Sequence, residues 1–208
     1  MDVALATAWL RAAAEAVVAD ADELTKLDAA IGDGDHGVNM RRGFTAVTAA
    51  LEATAFTGVG DVFVKAGTTL IAKVGGASGP LFGSAFRAIG KALPPGATVS
   101  PADLATALRA GLDAVGGLGG AAPGDKTMVD ALAPAVASFE EAVVAGAGLP
   151  EASAGAARAA GDGARATVAL TARKGRASYL GERSAGHQDP GAVSTWLILQ
   201  ALADVTAP

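Results

Sequence analysis

The sequence predicts an all-α fold, and three observations predict it. Helix-start signals, a serine or aspartate beside a proline, recur along the chain at Ser78-Gly79-Pro80, Ser100-Pro101 and Asp189-Pro190. Hydrophobic residues make up 51% of the 208 residues but aromatics only 4%, so the core must be built from Ala, Val and Leu, a composition that lets helices approach closely. No run of alternating β-branched residues is long enough for a strand.

The elements follow in order. Asp2 can cap a first helix reaching about Asp20, with Leu5, Leu10, Val17 and Val18 on one face, followed by a short helical extension through Leu24 and Leu27. Asn39 can cap a second helix, Met40 to Leu51, and a third runs from Asp61 to Val74 and stops at Gly75-Gly76. Ser78 before Pro80 starts a fourth helix towards Leu93, and Ser100-Pro101-Ala102-Asp103 repeats the signal for a fifth ending near Gly116. After a glycine-rich linker to Gly124, Asp125 opens a sixth helix through Val144, which Pro134 should kink or break. Pro150 opens a seventh ending near Arg173. Lys174 to Gln188 is polar and irregular, and Asp189-Pro190 starts the eighth through Trp196, Leu199 and Leu202. The expected architecture is one domain over residues 1–208, an antiparallel up-and-down bundle or closed barrel of about eight helices.

Composition excludes several classes of function. A formal charge of −5 gives no electrostatic reason for nucleic acid or an acidic membrane as partner. The absence of cysteine removes disulfides, thiolate catalysis and sulfur-ligated metal, and suits a reducing compartment. Met1-Asp2-Val3 places an acid where a secretory signal carries basic residues, and no apolar stretch approaches ~20 residues. The expected location is cytoplasmic.

Chain order also says where a site should lie. Asp28 to Asn39, Gly75 to Gly79, Gly116 to Asp125 and Lys174 to Gly191 precede the second, fourth, sixth and eighth helices. Alternate loops of an up-and-down arrangement share one end, so these four should meet. The first holds Asp28, Asp33 and Asp35, interleaved with Gly32, Gly34 and Gly37, which let the backbone fold back and aim the carboxylates at one point. Clustered carboxylates repel unless a cation joins them. Hard oxygen donors suit magnesium, and the run lacks the EF-hand spacing that calcium would favour. The plain alternative is a solvated turn rich in Asp and Gly. A nucleoside diphosphate would bring roughly three further negative charges against about four from two magnesium ions. The balance would fall to helix N-termini such as Ala77-Ser78 and to the guanidinium of Arg176. No Walker A sequence occurs.

Leu27 to Arg42, reading LDAAIGDGDHGVNMRR, resembles the motif of the nucleotide-binding L-subunit family of dihydroxyacetone kinases. Further motifs of that family resurface in order in GGASGPLFGSAF, GDKTMVDAL and GRASYLGERSAGHQDPGA, so the resemblance spans nearly the whole chain. It implies an eight-helix antiparallel barrel with ADP or ATP at one end and two magnesium ions on Asp28, Asp33 and Asp35. It also implies His36, Gly37, Val38 and Asn39 along the nucleotide, and Ala77 and Ser78 at its phosphates. Gly119 and Met128 would border the base, Arg176 would reach the phosphates, and Asp189, Pro190 and Gly191 would close the pocket.

The chain's length leaves no room beside the eight helices for a ketone-binding domain, so the resemblance is to the separate subunit of the phosphotransferase-system type. It implies bound ADP that a phosphohistidine carrier recharges, the γ-phosphoryl then passing to dihydroxyacetone on a partner subunit. Whether the chain forms a homodimer is left open, as are a nucleotide-binding regulatory module and a kinase subunit for another short ketose or an acyl chain. Among other residues, His36 reads as a donor to phosphate, His187 as structural, and Asp189 as a helix cap that can also touch nucleotide. Asp125-Lys126-Thr127 reads equally as a phosphate triplet or as an N-cap with an exposed lysine. Lys65 and Lys73 read as a solvated stripe, and Trp9 and Trp196 as packing.

Overall fold

The computed structural model describes all 208 residues and contains nine α-helices. They are α1 (Val3–Ala19), α2 (Ala21–Ile31), α3 (His36–Glu52), α4 (Val59–Lys73) and α5 (Ser78–Ala92), then α6 (Pro101–Gly119), α7 (Val129–Val144), α8 (Leu149–Ala166) and α9 (Pro190–Thr206). Eight of them close a ring. From α3 to α9 each helix packs on the next, α9 packs on α1, and α1 packs on α3. No helix is long and apolar enough to cross a membrane.

The ring closes around a core of 47 buried residues, mostly Ala, Val and Leu, as the composition requires. Three of its aromatics sit together: Trp9 meets Phe63 edge-on at 5.3 Å, and Phe63 stacks on Phe86 at 6.4 Å. Trp9 Nε1 donates to Ile198 O at 2.8 Å, so its polar end is satisfied inside the core. The α4–α5 pair shows what the glycines contribute. A Cβ on Gly60 would lie 2.4 Å from Gly90 O, and one on Gly67 would lie 2.4 Å from Gly83 O, so backbone packs on backbone.

The ninth helix is the one the sequence hides. The expected extension after Asp20 is a separate helix, α2, set off by Asp20 at φ −90°, ψ 5° with no glycine or proline to mark the break. It packs on α3 and lies outside the ring. Its Leu24 enters the main core, while Ile31 at its far end joins Ala172 and Ala177 in a small separate cluster, with Leu180 against it. α2 therefore pins the irregular segment that precedes α9.

Other boundaries also move. Asn39 does not cap its helix: Asp35 is the N-cap of α3, Asn39 N donates to Asp35 O, and Asn39 Oδ1 accepts from Arg42 Nη2 at 2.8 Å. Ala77 takes the N-cap place of α5 and Ser78 is its first residue. Asp125 does not start α7. It closes a turn by accepting from Ala122 N, while Asp130 Oδ2 accepts from Thr127 N, which delays the helix to Val129. Pro134 lies inside α7 without ending it. α8 stops at Ala166, and Arg176–Ser184 forms 3₁₀ turns within the stretch expected to be irregular. The Ser100 capping box and the Asp2 and Asp189 caps form as expected.

Candidate functional site

The loops before α3, α5, α7 and α9 meet at one end of the ring, around a cavity of about 310 Å³. That is the lower end of the range for small-molecule sites. Asp28, Asp33, Asp35 and His36 line it from the first loop, Gly76, Ala77 and Ser78 from the second, and Gly119, Lys126 and Met128 from the third. Arg176, Asp189, Pro190 and Gly191 complete it. Apolar wall is supplied by Leu81 and Phe82 of α5, Val115 of α6 and Val129 of α7.

The acidic loop is built backbone first. Asp28, in the last turn of α2, uses Oδ2 to accept from Asp35 N at 2.8 Å and His36 N at 3.1 Å, which folds the loop back over the helix end. Gly34 takes φ +74°, and a Cβ at Gly32 would stand 2.2 Å from Asp28 Oδ1, so both places favour glycine as long as Asp28 keeps this position. The result is one carboxylate oxygen from each of Asp28, Asp33 and Asp35 within 4.8 Å of the others. Asp35 caps nothing with its side chain although it holds the N-cap position. Asp33 pairs with Arg176 Nε at 3.0 Å. A compact set of oxygen donors with no nitrogen or sulfur fits a hard divalent cation of the magnesium kind.

His36 is buried, and both ring nitrogens are engaged: Nδ1 with Ser78 Oγ at 3.0 Å and Nε2 with Ser194 Oγ at 2.8 Å. Burial holds its pKa below the usual histidine value, against the opposing pull of Asp28 and Asp35. Both ring nitrogens are thus paired within the protein, so a direct bond from His36 to a phosphate would have to displace one of these serines. Gly37, Val38 and Asn39 do not line the cavity. A Cβ on Gly37 would lie 1.9 Å from Ala21 O, so this glycine lets α3 pack on α2, and Val38 is 56% exposed on the outer side.

Lys126 does not fit the exposed-lysine reading of Asp125-Lys126-Thr127, one of the two that the sequence allowed equally. It is buried rather than exposed, adopts φ +62°, and its Nζ donates to Thr167 O and His187 O. Desolvation lowers its pKa, with Asp189 and Asp130 pulling the other way. The lysine thus ties the loop before α7 to both ends of the segment that leads into α9. His187 serves this tie through its carbonyl while its residue stays exposed. Its positive φ, uncommon for a residue with a side chain, has no counterpart in the sequence, where Lys126 stands between Asp125 and Thr127.

Asp189 caps α9 by accepting from Ala192 N at 2.7 Å, and its own N donates to Thr167 Oγ1 at 3.0 Å. Burial pushes its pKa up to about 7, opposed by the Ala192 N–H and by Lys126, and reinforced by Asp130 and Asp28. A carboxyl whose folded pKa is raised gives stability below its unfolded pKa that is lost as pH climbs through the folded value. The wild-type urea midpoint should therefore fall between about pH 4 and pH 7, and Asp189→Asn should flatten that fall. Parallel profiles for the two proteins would show that Asp189 is ionised throughout.

Comparison with known proteins gives the site its relatives. Residues 30–204 match the model of the DAK2 domain. The chain is 43% identical to the ADP-binding subunit DhaL of the PEP-dependent dihydroxyacetone kinase of Escherichia coli (strain K12), over 94% of this chain and 93% of that one. It is 40% identical to a D-erythrulose kinase of Mycolicibacterium smegmatis, over 93% of this chain but only 34% of that enzyme. Among solved structures it is similar to the dihydroxyacetone kinase of C. freundii in complex with AMP-PNP and Mg2+. The TM-score is 0.75 at 28% identity, and the match covers 97% of this chain and 34% of the other.

Proposed function

The chain belongs to the DAK2 domain family, and from that premise we propose that it is the ADP/ATP-binding subunit of a dihydroxyacetone kinase. The observation that carries the reading is the convergence of three carboxylates within 4.8 Å at the wall of a cavity that also has an apolar side. The relative it covers almost end to end is named as an ADP-binding subunit, and the similar solved structure holds a nucleotide analogue with Mg2+.

In this reading residues 1–208 act as one nucleotide-binding domain. Asp28, Asp33 and Asp35 hold two magnesium ions, which when bound neutralise charge on the phosphate oxygens. Ala77 and Ser78 offer the free N–H groups of the α5 N-terminus to the phosphates. Arg176, exposed and paired only with Asp33, has the reach and the charge to turn to the phosphates once a cation takes over that carboxylate. Gly119 and Met128, with Leu81 and Val115, form the apolar wall suited to a base, and Gly191 of the Asp189-Pro190-Gly191 turn lies against Met128. Bound ADP is recharged by a phosphohistidine carrier, and the γ-phosphoryl goes to dihydroxyacetone on a partner subunit. The likeness to an erythrulose kinase keeps another short ketose as the second reading, since that choice would rest with the partner.

Calorimetry with ADP tests the reading. Binding should be tight in magnesium and at least about a hundredfold weaker in EDTA, since three uncompensated carboxylates would face the phosphates. Equal affinity in both would reject the metal bridge.

A further inference from the structure

His36 sits between two hydroxyl groups that come from opposite sides of the site. Ser78 opens α5 and lines the cavity, whereas Ser194 is fully buried in the second turn of α9, 158 residues from His36 along the chain. Neither serine side chain has another hydrogen-bond partner within the protein. A neutral imidazole has one N–H and one lone pair, so one of the two hydroxyls must donate to the ring and the other must accept from it.

The two arrangements are not equivalent. If Nε2 carries the proton, Ser194 accepts it and its own hydroxyl proton is left buried without an acceptor, a cost on the order of 1–3 kcal/mol. Ser78 would then spend its proton on Nδ1 and turn lone pairs towards the cavity. If Nδ1 carries the proton, Ser194 donates to Nε2 and the ring donates to Ser78 Oγ. The Ser78 proton is then free to point into the cavity, where water or a ligand can accept it. Burial on the α9 side alone selects this second arrangement.

We propose that Ser194 is a positioning residue that fixes His36 as the Nδ1–H tautomer and thereby makes Ser78 a hydrogen-bond donor to a phosphate oxygen at the N-terminus of α5. The proposal rests on the nucleotide reading for the identity of the acceptor, but the direction of the relay follows from the three side chains themselves. It links α9, whose first turn forms another wall of the cavity, to the phosphate end through a single ring. It also explains why a histidine at the edge of an acidic loop is held away from the solvent.

The test has two arms on the full chain. The first is ¹⁵N-edited NMR of the protein without nucleotide, which is simple because there are only two histidines and His187 is exposed. The expected result is a neutral His36 protonated at Nδ1, with that preference lost in Ser194→Ala. A wild-type ring protonated at Nε2 would overturn the proposal. The second arm is ADP binding in magnesium for Ser194→Ala, Ser78→Ala and the double variant. Ser194→Ala should weaken binding about five- to tenfold, and should add nothing once Ser78 is Ala. Additive losses would mean that Ser194 acts independently of Ser78, and the relay would fall. Should the wild-type chain bind no ADP, the nucleotide reading fails, while the tautomer still decides whether Ser194 sets the ring.

Discussion

Substituting Asp35 by Asn is expected to lower phosphoryl transfer by about a hundredfold or more while leaving the helical fold intact. Asp35 can be removed cheaply because its carboxylate makes no hydrogen bond within the protein and caps no helix, so the folded state loses nothing that held it together. What it loses is the charge of one of three carboxylates whose oxygens converge within 4.8 Å, leaving a bound cation with a neutral, weaker amide oxygen at that corner. The three aspartates should separate under the same treatment. Asp33→Asn should weaken its pairing with Arg176, an exposed contact worth little to stability, and reduce activity as severely. Asp28→Asn should add a structural cost, since the Asp28 carboxylate also folds the loop back through the N–H groups of Asp35 and His36. Far-UV circular dichroism and a coupled phosphoryl-transfer assay on all three would check this. Helicity lost in step with activity at Asp35 would mean the loop is a structural turn after all.

The contrast among these aspartates marks what a sequence can disclose. Local rules carried far: the Ser100 capping box, the prolines at the starts of α6 and α9, and the four glycine-rich loops at one end were all legible, because each depends on residues a few positions apart. α2 was not legible as a helix of its own, because Asp20 ends α1 with ordinary backbone angles and no breaking residue. The missed features are long-range. Lys126 reads equally as a phosphate ligand or a surface lysine until Thr167 and His187 bring their carbonyls to it, and nothing near His36 in the sequence foretells Ser194 on the last helix. Gly37 reads as one more loop glycine, yet it is where α3 rests on α2. Spacing locates a cluster of carboxylates, but it cannot say which polar side chains are already spoken for.

The 208-residue chain by itself, given ATP and dihydroxyacetone, is expected to form no dihydroxyacetone phosphate at a useful rate. The site has one cavity of about 310 Å³, and the nucleotide reading fills it: carboxylates, helix N-terminus and Arg176 for the phosphates, and the Leu81–Val115–Met128 wall for the base. The second cavity lies inside the ring, is small, and is lined almost wholly by core residues such as Trp9, Phe86 and Ile198, with nothing to orient a polar three-carbon ketone. Holding such a substrate in line with the γ-phosphoryl accounts for ~7–11 kcal/mol of barrier reduction in well-oriented systems, and neither of these two cavities has polar side chains left over to do it. Activity should appear when a ketone-binding subunit is added, and should turn over repeatedly only when a phosphohistidine carrier recharges the bound ADP. A coupled reduction of dihydroxyacetone phosphate, with each component left out in turn, reads both requirements. Sustained turnover by the isolated chain with ATP would instead require a ketone site on these nine helices, and would make the chain a self-sufficient kinase.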